Sequence, residues 1–258
     1  MKKQTTHLRT ADQKEFVKKF NALCGAHSRW EVWSDFVQMS AIAISNAVDR
    51  ANAPERVKAF QTMASKYSDQ ERNALAELLA ELVAGMEANP DRDYLGELYM
   101  VLELGNQKAG QFFTPYDVCR AMAALTWGDQ EEKIRRQGWI SVNDCACGAG
   151  ATLLAFANEC RRHGINYQTS VLFVAQDVDA IVASMCYLQL SLMGCAGYVV
   201  VGNTLSNPKQ AVDKRGLIPV HGPDVWYTPM YFRQEWHLRR VWARMDMLFQ
   251  PKKEEKHQ

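Results

Sequence analysis

Apolar residues recur at three- and four-residue spacing through the first part of the chain and gather into short continuous runs in the second. From Trp33 to Val48 they fall at Trp33, Phe36, Val37, Ala41, Ile44 and Val48, one face of a helix. A second helix is predicted from Ser68, where Glu71 completes a capping box. It carries Leu75, Leu78, Leu79, Leu82 and Val83 on one stripe and stops at Asn89-Pro90. Residues 1–104 therefore read as a helical region whose stripes pack helix against helix.

The pattern changes after Gly105. Thr114 before Pro115, with Asp117 in the first turn, predicts a helix start, and the helix extends to Trp127. A strand follows over 138–144, a glycine-containing turn at Cys147-Gly-Ala-Gly150 and an apolar helix from Ala151 to Cys160. The strand Val171–Ala175 runs into Gln176-Asp177, a helix covers 179–193 and a third strand spans Tyr198–Val201. Strands that are apolar throughout and alternate with helices predict a parallel sheet covered on both faces. Right-handed crossovers then bring the glycine turn and Asp177 to one carboxyl edge. The expected class is α/β, with a helical N-terminal region (1–104) ahead of a Rossmann-like sheet domain (105–258).

Near the end, Leu238, Val241, Trp242, Met245 and Leu248 share a helical face between Glu235 and Phe249, with arginines largely off it. Residues 233–258 hold seven Lys/Arg against four Asp/Glu, and Trp226, Tyr227, Tyr231, Phe232 and Trp236 are interleaved upstream. Two readings follow: a packing helix with a solvated basic face, or a phosphate-contacting helix in which Arg233, Arg239, Arg240 and Arg244 meet DNA. Over the whole 258-residue chain, 30 Lys/Arg and 29 Asp/Glu leave a formal charge of +1. Nucleic-acid binding by bulk charge is thereby excluded, and a local patch is needed.

The seven cysteines are odd in number and scattered, which fits reduced thiols of a cytoplasmic protein. Cys145-Ala-Cys147 is too close for the usual metal spacing, so no metal is expected. No membrane span and no signal segment is read, and the tail from Pro251 is expected to fray.

The chemistry concentrates in Asp144-Cys-Ala-Cys-Gly-Ala-Gly150 together with Asp177. Glycines after a first strand let a ligand approach the backbone, and a carboxylate ending the second strand can accept from both hydroxyls of a ribose. Only Gly148 and Gly150 are present where a dinucleotide fingerprint has three glycines, so a cofactor with a ribose but no pyrophosphate fits better.

Four segments in order carry a family resemblance: Gly110-Gln-Phe-Phe-Thr-Pro115, Asp144 to Gly150, Gln176-Asp177 and Gly202-Asn-Thr-Leu205. Over roughly residues 95–205 the chain resembles the adenine-N6 DNA methyltransferases, most nearly the modification subunits of type I restriction systems. The resemblance implies S-adenosylmethionine as cofactor and DNA as partner. Phe112, Phe113, Thr114 and Pro115 would line its methionine side, and Asp144, Ala146, Cys147 and Gly148 would lie against it. Asp177 would accept from the ribose, and Asn203, where the family more often has aspartate, would sit near the adenine ring. Cys145 stands where the family has proline.

The chain departs from the family after its third strand. Adenine N6 is a poor nucleophile, and the family uses Asp/Asn-Pro-Pro-aromatic to accept from the amine and stack on the flipped base. That tetrapeptide is missing. Asn207-Pro208 is one fragment of it. The other candidate is His221 with Tyr227, placed after a possible fourth strand at Leu217–Val220. Residues 206–258 are also few for the later strands of a complete sheet. An unfinished sheet leaves an edge for the C-terminal segment, a second chain or a second copy to cover. Two functions stay open: an adenine-N6 methyltransferase, or a catalytically silent cofactor-binding homologue acting as a DNA-binding or regulatory partner.

Overall fold

The computed structural model describes residues 10–104, 113–206, 208 and 211–249. Helices α1 (Ala11–Leu23), α2 (Arg29–Asn46), α3 (Ala53–Ala64), α4 (Asp69–Ala88) and α5 (Tyr94–Val101) form the N-terminal region. Ser28 starts α2 by accepting the Glu31 amide at 3.1 Å, so the helix begins four residues before Trp33 and ends before Val48. The Ser68/Glu71 capping box opens α4, with each side chain bonded to the other residue's amide.

Next come α6 (Tyr116–Trp127), α7 (Gln130–Gln137), β1 (Ile140–Asp144), α8 (Ala151–Arg162), α9 (Tyr167–Ser170), β2 (Val171–Asp177), α10 (Ala180–Leu192) and β3 (Ala196–Val201). The cap of α6 is Pro115, not Thr114. Pro115 keeps an extended ψ of 136°, so helical geometry starts one residue later than the sequence predicts. The strands β1, β2 and β3 are parallel and adjacent in that order, with Val142 opposite Phe173 and Val174 opposite Tyr198. The chain is thus a mixed α/β protein.

The remaining strand differs from expectation. Leu217–Val220 is no strand: Pro219 makes a single isolated bridge to Ala211. Proline cannot donate to a ladder, and Leu217 and Ile218 are buried instead. The fourth strand is β4 (Val225–Tyr227), antiparallel to β3 with Tyr227 opposite Tyr198. This C-terminal segment does cover a sheet edge, that of β3. On the far side of β1 no strand pairs among the described residues, and Ser141 and Asn143 are exposed there.

Two cores hold the sheet. On one face Ile140, Phe173, Ala175 and Val199 pack with α8 and α10, and the same cluster runs on through Phe36, Leu78, Tyr94 and Leu98 of the N-terminal helices. On the other face Leu172, Tyr198, Val200 and Tyr227 pack with Leu217, Tyr231 and Trp236. Trp236 belongs to α11 (Gln234–Phe249), which follows a short 3-10 turn at Pro229–Phe232.

Helix α11 is turned about its axis relative to both sequence readings. Its inward residues are Trp236 and Arg240, flanked by Ala243 and Met247, while Leu238, Val241, Trp242, Met245 and Leu248 are exposed. The cause is the pairing of guanidinium groups with ring faces, which carry the negative lobes of the aromatic quadrupole. Arg240 lies 4.0 Å over the Tyr231 ring and bonds the Tyr231 carbonyl. Arg239 lies 4.4 Å over Trp236 and donates to the carbonyls of Thr169 at 2.5 Å and Gly138 at 3.3 Å.

Candidate functional site

Aspartates end both β1 and β2. The register sets Asp144 opposite Ala175, so Asp177 reaches two residues farther along the carboxyl edge. Each carboxylate holds backbone. Asp177 Oδ2 accepts from the Gly148 amide at 2.9 Å and Oδ1 from the Asp179 amide at 3.0 Å. The Cys147 amide donates to the Gln176 carbonyl at 3.0 Å, which stitches the glycine loop onto the end of β2. Asp144 Oδ1 accepts from the Ala146 amide at 3.1 Å, and Oδ2 accepts from the Thr152 hydroxyl.

The two glycines serve different ends. Gly148 has φ +55°, and a Cβ there would lie 3.3 Å from the Phe113 ring. Both facts keep the space at the loop tip free of side chain. Phe113 in turn leans on Tyr99 at 5.2 Å between ring centroids. At Gly150, with φ +96°, a Cβ would meet Cys186 Sγ at 2.9 Å, so this glycine lets the start of α8 pack on α10. Contact with Cys147 and burial push the Cys186 thiol well above the usual range. It is a packing group at neutral pH.

A third loop joins at the end of β3. The Gly202 amide donates to the Asp177 carbonyl at 2.8 Å, and Thr204 donates to the Cys145 carbonyl at 2.5 Å. Asn203 Oδ1 accepts from the amides of Leu205 at 2.9 Å and Ser206 at 3.2 Å. Its oxygen is therefore engaged by its own turn, and the NH2 group is the end it presents outward. The structure thus gathers Phe113, Asp144, Ala146, Cys147, Gly148, Asp177 and Asn203 at one carboxyl edge of the sheet. Thr114 and Pro115 are exposed at the start of α6. Phe112 and Asn207 lie outside the described residues.

Two supporting side chains escape sequence reasoning. Gln189, fully buried on α10, donates to the Ala149 carbonyl at 2.8 Å and to Asp93 Oδ1 at 2.7 Å, and accepts the Leu95 amide at 3.0 Å. It ties the glycine loop to α5. Burial raises the Asp93 carboxyl to about 6, against the opposing hydrogen bonds from Gln189 and Gly96. No periodicity or motif marks either residue; the signal lies in contacts nearly a hundred positions apart. Thr152, on the first turn of α8, has a weaker signal, being a polar residue in an otherwise apolar stretch.

The other candidates sit elsewhere. Tyr227 is buried in the second core, stacked on Tyr231 at 5.0 Å, and its hydroxyl pairs with His221 Nδ1 at 3.0 Å. Burial raises the Tyr227 phenol to about 12. Pro208 is exposed. Of the four arginines read as phosphate contacts, Arg239 and Arg240 spend their guanidinium groups inside the fold, while Arg233 and Arg244 are exposed. A cavity of about 440 Å³ lies off the free edge of β1, between α6 and α8; Cys119, Met122, Thr126, Asn143, Asp144 and Thr152 are among its lining. Of the residues gathered at the carboxyl edge, Asp144 is the one in its lining. Among the described residues no cluster of His, Cys, Asp or Glu is placed to hold a metal, and no helix is long and apolar enough to cross a membrane.

A family model described as N-6 DNA Methylase matches residues 90–239, from just before α5 to the middle of α11. No curated protein matches the chain.

Proposed function

The chain belongs to the N-6 DNA methylase family, and from that premise we propose that it binds S-adenosylmethionine at the carboxyl edge of the sheet and serves adenine-N6 methylation of DNA, as a type I modification subunit does, on a Rossmann-like half-sheet. The observation that carries this reading is the Asp177 carboxylate, pinned by the Gly148 and Asp179 amides. It costs no reorganisation to present its remaining lone pairs to two ribose hydroxyls. The residues fit the group in shape as well. Gly148 leaves backbone bare beside the Phe113 ring, and Asp144 is held rigid by Ala146 and Thr152. When bound, the cofactor supplies an electrophilic methyl group on sulfur. The protein's part is to bind and orient it: Asp177 at the ribose, Gly148 and Ala146 along the loop, Asn203 near the adenine ring. Because Asn203 presents its NH2 outward, it would donate to a ring nitrogen; the family's commoner aspartate can only accept.

A second reading is favoured by one observation. Tyr227 and His221 bond to each other, and the tyrosine packs in the second core on the far sheet face. That takes the aromatic read from the sequence as a stacking partner for a flipped adenine into the second core. On this reading the chain binds cofactor and is catalytically silent alone, acting as a DNA-binding or regulatory partner.

Two assays decide. Calorimetry should show S-adenosylmethionine binding that Asp177→Ala weakens by at least ~30-fold, as expected when charge-assisted bonds worth about 2 kcal/mol are lost. Binding unchanged in that variant would sink the site. Transfer of labelled methyl to unmethylated DNA tests catalysis, and binding without transfer selects the silent reading.

A further inference from the structure

The loops at the carboxyl edge are rich in acceptors and short of donors. The amides of Ala146, Cys147, Gly148 and Gly150 all donate within the protein, to Asp144, the Gln176 carbonyl, Asp177 and the Cys147 carbonyl. Residues 144–150, 177–179 and 202–206 include Asp144, Asp177 and Asp179 and no lysine, arginine or histidine. Such a set suits the sulfonium and ammonium groups of S-adenosylmethionine, but it leaves the carboxylate of that ligand facing acids. A carboxylate taken out of water needs hydrogen-bond donors.

One donor beside these loops is unengaged. Tyr99, on α5, is 1% exposed, and its hydroxyl has no hydrogen-bond partner among the described residues. A buried hydroxyl left without a partner costs free energy, and folded proteins keep few of them. The Tyr99 ring packs on Phe113 at 5.2 Å between centroids, and Phe113 is the ring that a Cβ at Gly148 would meet. Burial, and then the charge of Asp179, raise the phenol above its usual range, so it remains an O–H donor at neutral pH. That charge acts on it because the phenol lies toward the residues that follow β2. The Trp33 indole N–H is also unpaired, but its ring packs on Phe16, Phe20 and Phe36 of α1 and α2, away from the glycine loop.

We propose that Tyr99 is a cofactor-binding residue whose hydroxyl donates to the carboxylate at the methionine end of S-adenosylmethionine. This rests on the cofactor reading given above. The Phe113 ring, half-buried between the phenol and the glycine loop, turns aside as the carboxylate arrives. The bond then forms out of water, where a donor to an anion is strongest.

Calorimetry on the full chain with two ligands tests this: S-adenosylmethionine and its decarboxylated form, S-adenosyl-methylthiopropylamine. Tyr99→Phe keeps the ring and its packing on Phe113. It should weaken S-adenosylmethionine by roughly 10-fold or more, as expected for a lost hydrogen bond to a charged group, and leave the decarboxylated ligand unchanged. Without ligand, its melting temperature should match or exceed that of wild type, because an unpaired buried hydroxyl has been removed. A clear fall in melting temperature would show that the hydroxyl is bonded inside the fold, and would overturn the proposal. Equal losses toward both ligands, or no loss toward either, overturn it as well. If Asp177→Ala still weakens both ligands in those cases, the cofactor site stands without Tyr99. A wild-type chain that binds neither ligand overturns the site and the proposal together.

Discussion

Asp93 gives the fold a pH response seated in a buried carboxyl. It is buried, and its Oδ1 accepts from both Gln189 and the Gly96 amide, yet burial outweighs those bonds and lifts its carboxyl from 3.8 to about 6. A folded value above the unfolded one means the folded state holds the proton more tightly. The associated stability is fully present below about pH 4 and is lost as pH rises through 6, a loss of about 2–3 kcal/mol. Asp93→Asn should flatten that part of the profile, as urea denaturation between about pH 4 and 7 would read. An unchanged slope would mean that the carboxyl titrates normally. Asp177 and Gly148 were legible in the sequence because a glycine turn and a strand-ending acid are local signals. Asp93 was not, since its character comes from burial under residues far along the chain.

Between elements, Gln189 is the clasp. It joins α10 to the Leu95 amide, the Asp93 carboxyl and the Ala149 carbonyl of the glycine loop. Gln189→Leu keeps the volume and strands three buried partners. It should cost about 3 kcal/mol in denaturant unfolding and, by loosening the loop, weaken cofactor binding by roughly 10-fold. Stability lost with affinity intact would show that the loop holds without the clasp. Element order along the parallel strands could be read from sequence because each strand is apolar throughout. The pose of α11 could not. Reading an apolar stripe as the buried side assumes that only apolar groups seek the interior, whereas Trp139, Tyr231 and Trp236 receive guanidinium groups. The fourth strand was misplaced for a related reason: Leu217 and Ile218 are apolar because they pack under the sheet, not because they extend it.

At the scale of the molecule, Arg56 couples the N-terminal helices to the last strand. It pairs with Asp49 at 2.8 Å, bonds Ser45, donates to the Val225 carbonyl at 2.9 Å and lies 4.0 Å over the Trp226 ring. Arg56→Ala leaves the buried Asp49 carboxylate unpaired and should destabilise the whole by about 3–5 kcal/mol. Because one core runs from Phe36 to Phe173, circular dichroism and tryptophan fluorescence should report a single transition in wild type and variant alike. Two separated transitions would mean that the helices and the sheet unfold independently. The free edge of β1 has a consequence of its own. In a parallel ladder, alternate residues of a strand direct their peptide groups to each neighbour, and β1 has a neighbour on one side only among the described residues. Amide hydrogen exchange along Ile140–Asp144 should therefore alternate: residues locked to β2 exchange with the global unfolding of the core, and those between them at rates near open water. The strand that leads into the glycine loop would keep two clocks, one set by the interior and one by the solvent.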